Sequence, residues 1–257
     1  MAKEVVFALN LSFALALFAL AASATGWVAR APRVHRTAAG ILAASWLALT
    51  AGLGLFWVRL GRPPLSNQYE SLLALLWFVA PLALYFYRGS RRPEVPAAGA
   101  LLSALFFGGA ALLDSTVRPL MPALRSNWLL IHVLSSMAAY AAFALAAAAA
   151  AWGLLRKEAR EEDETELRLV KAGFAFLTLG IATGSVWAES AWGAYWSWDP
   201  KETWSLLTWL AYAAALHLRR SGWRGKKFAI MLLACFALVM FTYFGVNFLL
   251  GGLHSYG

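Results

Sequence analysis

The chain has 257 residues, of which 61% are hydrophobic and 14% charged, and its mean hydropathy is +0.62. Those values exclude a soluble domain and describe a membrane protein with several spans. The formal net charge of +9 does not point to nucleic acid, because cytoplasmic loops of membrane proteins carry a basic excess and no nucleic-acid motif accompanies it here. A single cysteine, Cys235, excludes an intramolecular disulfide and any CxxC redox or metal site.

Crossing a bilayer as a helix takes about 20 apolar residues. Runs of that kind occupy residues 5–28, 38–58, 70–87, 95–113, 128–155, 168–188, 203–218 and 228–250. The expected fold is therefore all-α: a polytopic membrane helix bundle of about eight transmembrane helices, one integral membrane domain over 1–257. Only Lys3 precedes the first run, and no small-residue cleavage site follows it, so it reads as a retained span. Asn67, Gln68, Tyr69 and Glu70 form a polar cluster opening the third run, suited to a helix cap or to the wall of a binding chamber. The alanine-rich stretch Ala146 to Ala151 allows close helix approach. The acidic run Glu161 to Glu166 alternates with basic residues at helical spacing and reads as a solvated helix end.

Between the sixth and seventh runs lies WAESAWGAYWSWDPKETW, Trp187 to Trp204, which holds five of the 13 tryptophans. It is too polar to span and too aromatic for an ordinary linker. Indoles of this kind sit at an interface, with apolar faces toward lipid or a flat ligand and N–H groups toward water. Asp199, Pro200 and Glu202 have the spacing of an N-cap, a first-turn proline and a capping-box partner. Trp192 and Trp196 stand one turn apart, on one side of the segment if it is helical. Asn247, within the last run, is suited to a hydrogen bond across helices.

Sixteen of the 22 lysines and arginines fall in four loops, those around Arg30–Arg36, Arg88–Arg92, Arg156–Lys171 and Arg219–Lys227. The positive-inside rule makes these loops cytoplasmic. Both termini and the tryptophan-rich segment 187–204 then lie outside. Of the four histidines, His132 and His254 share that outer side, His217 lies near the inner end of the seventh run, and His35 is in the first cytoplasmic loop.

The run WGAYWSWDPKETW resembles the tryptophan-rich WWD signature of haem-handling proteins in cytochrome c biogenesis, the CcsA (ResC) type and the related CcmC and CcmF types. Residues 126–143 (SNWLLIHVLSSMAAYAAF), 245–257 (GVNFLLGGLHSYG) and 66–72 (SNQYESL) are also similar to the CcsA type. Haem iron takes axial ligands on opposite faces of the ring, and neutral imidazole suits both. Two separate segments flanking an aromatic platform can supply them where one helix cannot. The resemblance implies that His132 and His254 are external haem ligands and that His217 meets haem transiently; a histidine favoured at a helix C-terminus explains His217 equally well. His35 matches no motif. Trp192, Trp196, Trp198 and Trp204 are expected to cradle the ring, Lys201 to meet a haem propionate, and Asp199 to position the loop.

The implied function is transport of haem b to the outer membrane face and its presentation there for thioether attachment to an apocytochrome c bearing CxxCH. The chain would act as one subunit of a holocytochrome c synthase (haem lyase), with a CcsB (ResB)-like partner in the same membrane, either a bacterial plasma membrane or a plastid thylakoid. Two other readings are an electron carrier that keeps its haem and a small-solute carrier without haem.

Overall fold

The computed structural model describes residues 1–156 and 164–254, and these residues form helices joined by short loops. They divide into two compact units, Met1–Pro119 and Leu120–Gly257.

In the first unit, α1 (Lys3–Val28) turns over three residues into α2 (Pro32–Leu60), and α3 (Gln68–Ser90) is followed by α4 (Glu94–Ala110). Small residues bring these helices together. Ser12 and Ser45 each donate to the other's carbonyl oxygen, at 2.8 and 2.7 Å, so neither hydroxyl is left unpaired in the apolar interior. The cluster that opens α3 is a cap: Asn67 Oδ1 accepts the Glu70 N–H at 2.8 Å. Glu70 itself is 1% exposed. It is neutralised by Arg62 at 2.9 Å and by the N–H and hydroxyl of Ser66, which is what a carboxylate needs to remain out of water.

The second unit contains a short 3₁₀ turn at Pro122–Leu124, then α5 (Asn127–Leu155), α6 (Glu164–Trp192), α7 (Pro200–Arg220) and α8 (Gly225–Met240). After α8 the chain makes one π turn at Phe241–Gly245 and a last helical turn, α9 (Val246–Leu249). Helix α5 is this unit's most enclosed span, with 72% of its most apolar window buried. It packs on α6 where α6 carries glycine: a Cβ at Gly173 would strike Phe143, and one at Gly180 would strike Ser136.

The eight apolar runs thus appear as eight helices, each longer than its run or shifted at the ends. Among the described residues six helices, counting α8 with its extension to Leu249, have the length and composition to cross a membrane. Helix α4 has 17 residues, and α7 carries Lys201, Glu202, His217, Arg219 and Arg220. These two belong to the bundle without themselves meeting the criterion of an isolated span. Of the acidic run, residues 161–163 lie outside the described residues; Glu164 pairs with Arg168 one turn on, at 2.9 Å and exposed, as expected of a solvated helix end, but Glu166 is only 3% exposed, so the run is not solvated throughout.

Candidate functional site: two imidazoles on one indole

His132 lies in the second turn of α5, just inside the cap formed by Ser126, whose hydroxyl accepts the Trp128 N–H. Its ring crosses to α6 at the sequence GIATG, residues 180–184, where two glycines one turn apart open a notch. A Cβ on Gly184 would stand 2.5 Å from His132 Nδ1. Within this notch Nδ1 lies 2.7 Å from the Gly180 carbonyl oxygen. A carbonyl oxygen only accepts, so Nδ1 carries the proton and donates it. The lone pair is thereby placed on Nε2.

His254 reaches the same end of the unit from the chain's other extremity. Its Nδ1 lies 2.8 Å from Asp199 Oδ1, and because a carboxylate accepts, this Nδ1 is also the protonated nitrogen. Asp199 is held on several sides. Its Oδ1 accepts the Lys201 N–H at 3.0 Å as the N-cap of α7, and its Oδ2 accepts the Leu253 N–H at 2.6 Å. Glu202 completes the capping box by accepting the Asp199 N–H at 3.2 Å and the Ser197 N–H at 2.8 Å. Gly252 passes so close to Asp199 that a Cβ there would collide with the carboxylate. Burial works against the Asp199 charge, yet the His254 ring and the two backbone N–H groups outweigh it and hold the carboxyl below its ordinary value of 3.8.

Trp187 connects the two histidines. Its ring lies nearly parallel to His132, 6.0 Å between centroids at 14°, and edge-on to His254 at 5.5 Å and 63°. Only 1% exposed, it is packed with Leu124 and Leu129, and its indole N–H donates to the Ala123 carbonyl at 2.8 Å. Trp192 closes the group, 4.7 Å from Trp187 and 4.8 Å from His254. Two imidazoles, each with Nδ1 held by a protein acceptor so that Nε2 is the remaining nitrogen, are the arrangement in which histidines ligate metals. Among the described residues no group of three or more His, Cys, Asp or Glu could hold a bare ion. The donor set suits an iron that already has four equatorial ligands.

The remaining tryptophans do not form one shelf. Trp192 and Trp196 are not on one helical face, because α6 ends at Trp192 and the chain turns at Gly193, with φ of +77°. Trp196 packs instead against Trp198, 5.8 Å away at 89°, and Trp198 is 68% exposed in a left-handed conformation. Trp204 lies on Phe241 at 4.2 Å. The Lys201 ammonium donates to Asn247 Oδ1 at 2.7 Å, an interhelical bond that meets the expectation for Asn247 and gives Lys201 a protein partner. His217 is exposed in the last turn of α7, about 27 Å along the helix from Asp199 at 1.5 Å per residue. His35 belongs to the first unit.

Sequence reasoning does not single out Trp187, Gly180, Gly184 or Gly252, although each shapes the site. The GxxxG spacing of Gly180 and Gly184 was the available signal for two of them. Nothing in the sequence distinguishes Trp187 from its neighbours.

Residues 65–254 match the family model described as cytochrome C assembly protein. The chain is 37% identical to "cytochrome c biogenesis protein CcsA" of Prochlorococcus marinus (strain NATL2A), with 96% of this chain and 94% of the relative aligned. It is 39% identical to the protein of the same name from Chlamydomonas reinhardtii, over 78% of this chain and 63% of that one. Among solved structures, "cytochrome c heme lyase CcmF" superposes with a TM-score of 0.70 at 18% identity, covering 95% of this chain. That is a likeness of fold, and this chain spans 47% of its length.

Proposed function

Since the chain belongs to the cytochrome c assembly protein family and acts as a membrane protein in cytochrome c maturation, we propose that it binds haem b through His132 and His254 and presents it at the outer membrane face for attachment to apocytochrome c. The observation that carries this reading is the placement of both imidazoles, Nδ1 against the Gly180 carbonyl and against the Asp199 carboxylate, which leaves Nε2 of each ring as the nitrogen for a ligand. The two residues are 122 positions apart in sequence and meet at one indole. Because Trp187 now touches both rings, haem uptake displaces this indole from at least one of them.

The attachment adds a client cysteine S–H across each haem vinyl group: a carbon–sulfur bond forms and the thiol proton ends on the other vinyl carbon. No electrons are lost and no group departs. Holding two thiols against two vinyl groups supplies much of the rate, so the protein's contribution is position. The client histidine of CxxCH then replaces one of the two axial imidazoles. Exposed Trp198, with Trp196 against it, offers a surface to the client or the porphyrin edge. A CcsB-like partner provides the extracytoplasmic walls that the described loops are too short to build. The tryptophan loop and His254 face outward, and the arginine-rich loops face the cytoplasm.

The test is an absorption spectrum of the detergent-purified chain, with and without its partner, beside His132→Ala and His254→Ala. A reduced six-coordinate haem spectrum that is lost or altered in both variants and restored by imidazole is the expected result. Haem unchanged in both variants would place the iron elsewhere and favour a resident electron-carrying haem. Absence of haem from every preparation would favour a solute carrier.

A further inference from the structure

The first unit has an open cleft of about 890 Å³, lined mostly by exposed side chains, where the α1–α2 turn meets the α3–α4 turn. Arg30, Arg36 and Arg91 line it together with His35 and Tyr87, and no acidic residue does so. Among the described residues these three arginines form no ion pair; Glu94, close by in sequence, lies 3.7 Å from Arg92 instead. The cleft thus gathers three guanidinium charges without a counter-charge of its own.

The backbone makes the same point independently. Arg30 and Arg91 have φ of +48° and +56°, and apart from Trp198 they are the only described non-glycine residues with positive φ. Both sit where a helix ends in a left-handed turn, a position glycine occupies without steric cost. Basic residues near a helix C-terminus complement its dipole in any backbone conformation. That effect does not explain why two arginines take glycine's place and line one cleft. Strained residues held in place by their surroundings concentrate at ligand sites.

Two helix N-termini border the same space through Pro32 and Pro93. The caps of α2 and α4, Ala31 and Pro93, supply no side-chain acceptor to the first-turn N–H groups. Such N–H groups and the positive end of the helix dipole attract anions. The charge and the helix ends fit an anion better than a neutral solute, and the volume leaves room for a group larger than a bare phosphate.

We propose that this cleft binds a phosphate anion, with Arg30, Arg36 and Arg91 as its ligands. The source is either the headgroup of an acidic phospholipid or a soluble phosphate compound. Guanidinium groups pair with phosphate oxygens two at a time, and basic pockets between membrane helices accept lipid headgroups. Nothing in this proposal depends on the histidine pair of the second unit.

The experiment uses the full chain in neutral detergent, titrated with inorganic phosphate and, separately, with phosphatidylglycerol in mixed micelles, binding being read from the rise in Tm. The informative variant is Arg30→Gly with Arg91→Gly, which removes two ligands while giving both backbone positions the residue they favour. It is expected to melt no lower than the native chain without ligand, yet to lose at least tenfold in apparent affinity. Arg59→Ala with Arg118→Ala, an equal loss of charge on exposed side chains, retains native affinity. Protection by the lipid beyond that of inorganic phosphate at equal concentration assigns a headgroup, and equal protection assigns a soluble compound. Native affinity in the double-glycine variant, an equal loss in the control, or protection by neither probe overturns the proposal.

Discussion

Asp199 serves three partners at once: it caps α7, holds the Leu253 N–H and orients His254. These duties can be separated by substitution. Asparagine caps a helix as well as aspartate does, so Asp199→Asn should keep the start of α7 while removing the carboxylate that polarises His254, and its amide NH2, which only donates, should also release the Leu253 N–H. Outer-shell partners of this kind are worth about 10–100-fold in metal-site affinity, and a haem titration should show a loss in that range. Asp199→Ala should lose the same affinity and, in addition, about 1 kcal/mol of stability as a missing cap. The pH dependence has a definite sign. A carboxyl held below its ordinary value of 3.8 stabilises the fold fully above that pH and ceases to do so as pH falls through the lower folded value. Hydrogen exchange at Leu253, corrected for its intrinsic rate, should therefore remain protected down to about pH 4 and lose protection below it.

The helices decide which of these side chains can meet. Gly180 and Gly184 let α5 approach α6 closely enough for His132 to reach a carbonyl oxygen in the middle of the neighbouring helix. Gly184→Ala places a methyl group into the His132 ring and should cost about 1–3 kcal/mol as overpacking, with the haem spectrum altered before the helices separate. The π turn at Phe241–Gly245 has a comparable role. It carries Thr242, 0% exposed, to the Thr208 hydroxyl at 3.0 Å, and beyond it Asn247 comes to Lys201. A one-residue deletion inside the turn would restore α-helical spacing and rotate everything after it by about 100°. That deletion should break the Lys201–Asn247 bond, shift the 250–254 tail and abolish haem binding, even though no residue of the site is altered.

For the whole chain, the prediction is one of sidedness. In a Cys235→Ala background, a cysteine at exposed Tyr195 should react with an impermeant maleimide added outside intact cells, and a cysteine at Arg224 should react only after lysis. The reverse pattern would invert the proposed orientation and put the histidine pair on the cytoplasmic face. The count of crossing helices depends on the same physics. Helix α7 is too polar to meet the criterion of an isolated span, but its buried groups have partners, Lys201 with Asn247 and Thr208 with Thr242, and polar groups paired between helices are tolerated in a bundle.

Some of this was legible in the residues alone, because it depends on composition and spacing along one chain. Apolar run length gives eight helices, and the Asp199–Pro200–Glu202 spacing marks the start of α7 through local capping chemistry. The tryptophan-rich run with His132 and His254 brought the family into view before any coordinate did. What depends on two distant segments was not legible. The Nδ1 contact of His132 requires a carbonyl 48 residues away, and that of His254 a carboxylate 55 residues away. Trp187 has the same identity as its tryptophan neighbours and differs from them only by standing between α5, α6 and the tail. The supposed Trp192–Trp196 face failed because Gly193 ends the helix between them. Sequence periodicity reports which way a side chain points within its own element; which atom it meets is decided by the packing of elements against one another, and in this chain the packing brought two histidines far apart in sequence onto one indole, each with Nδ1 on an acceptor.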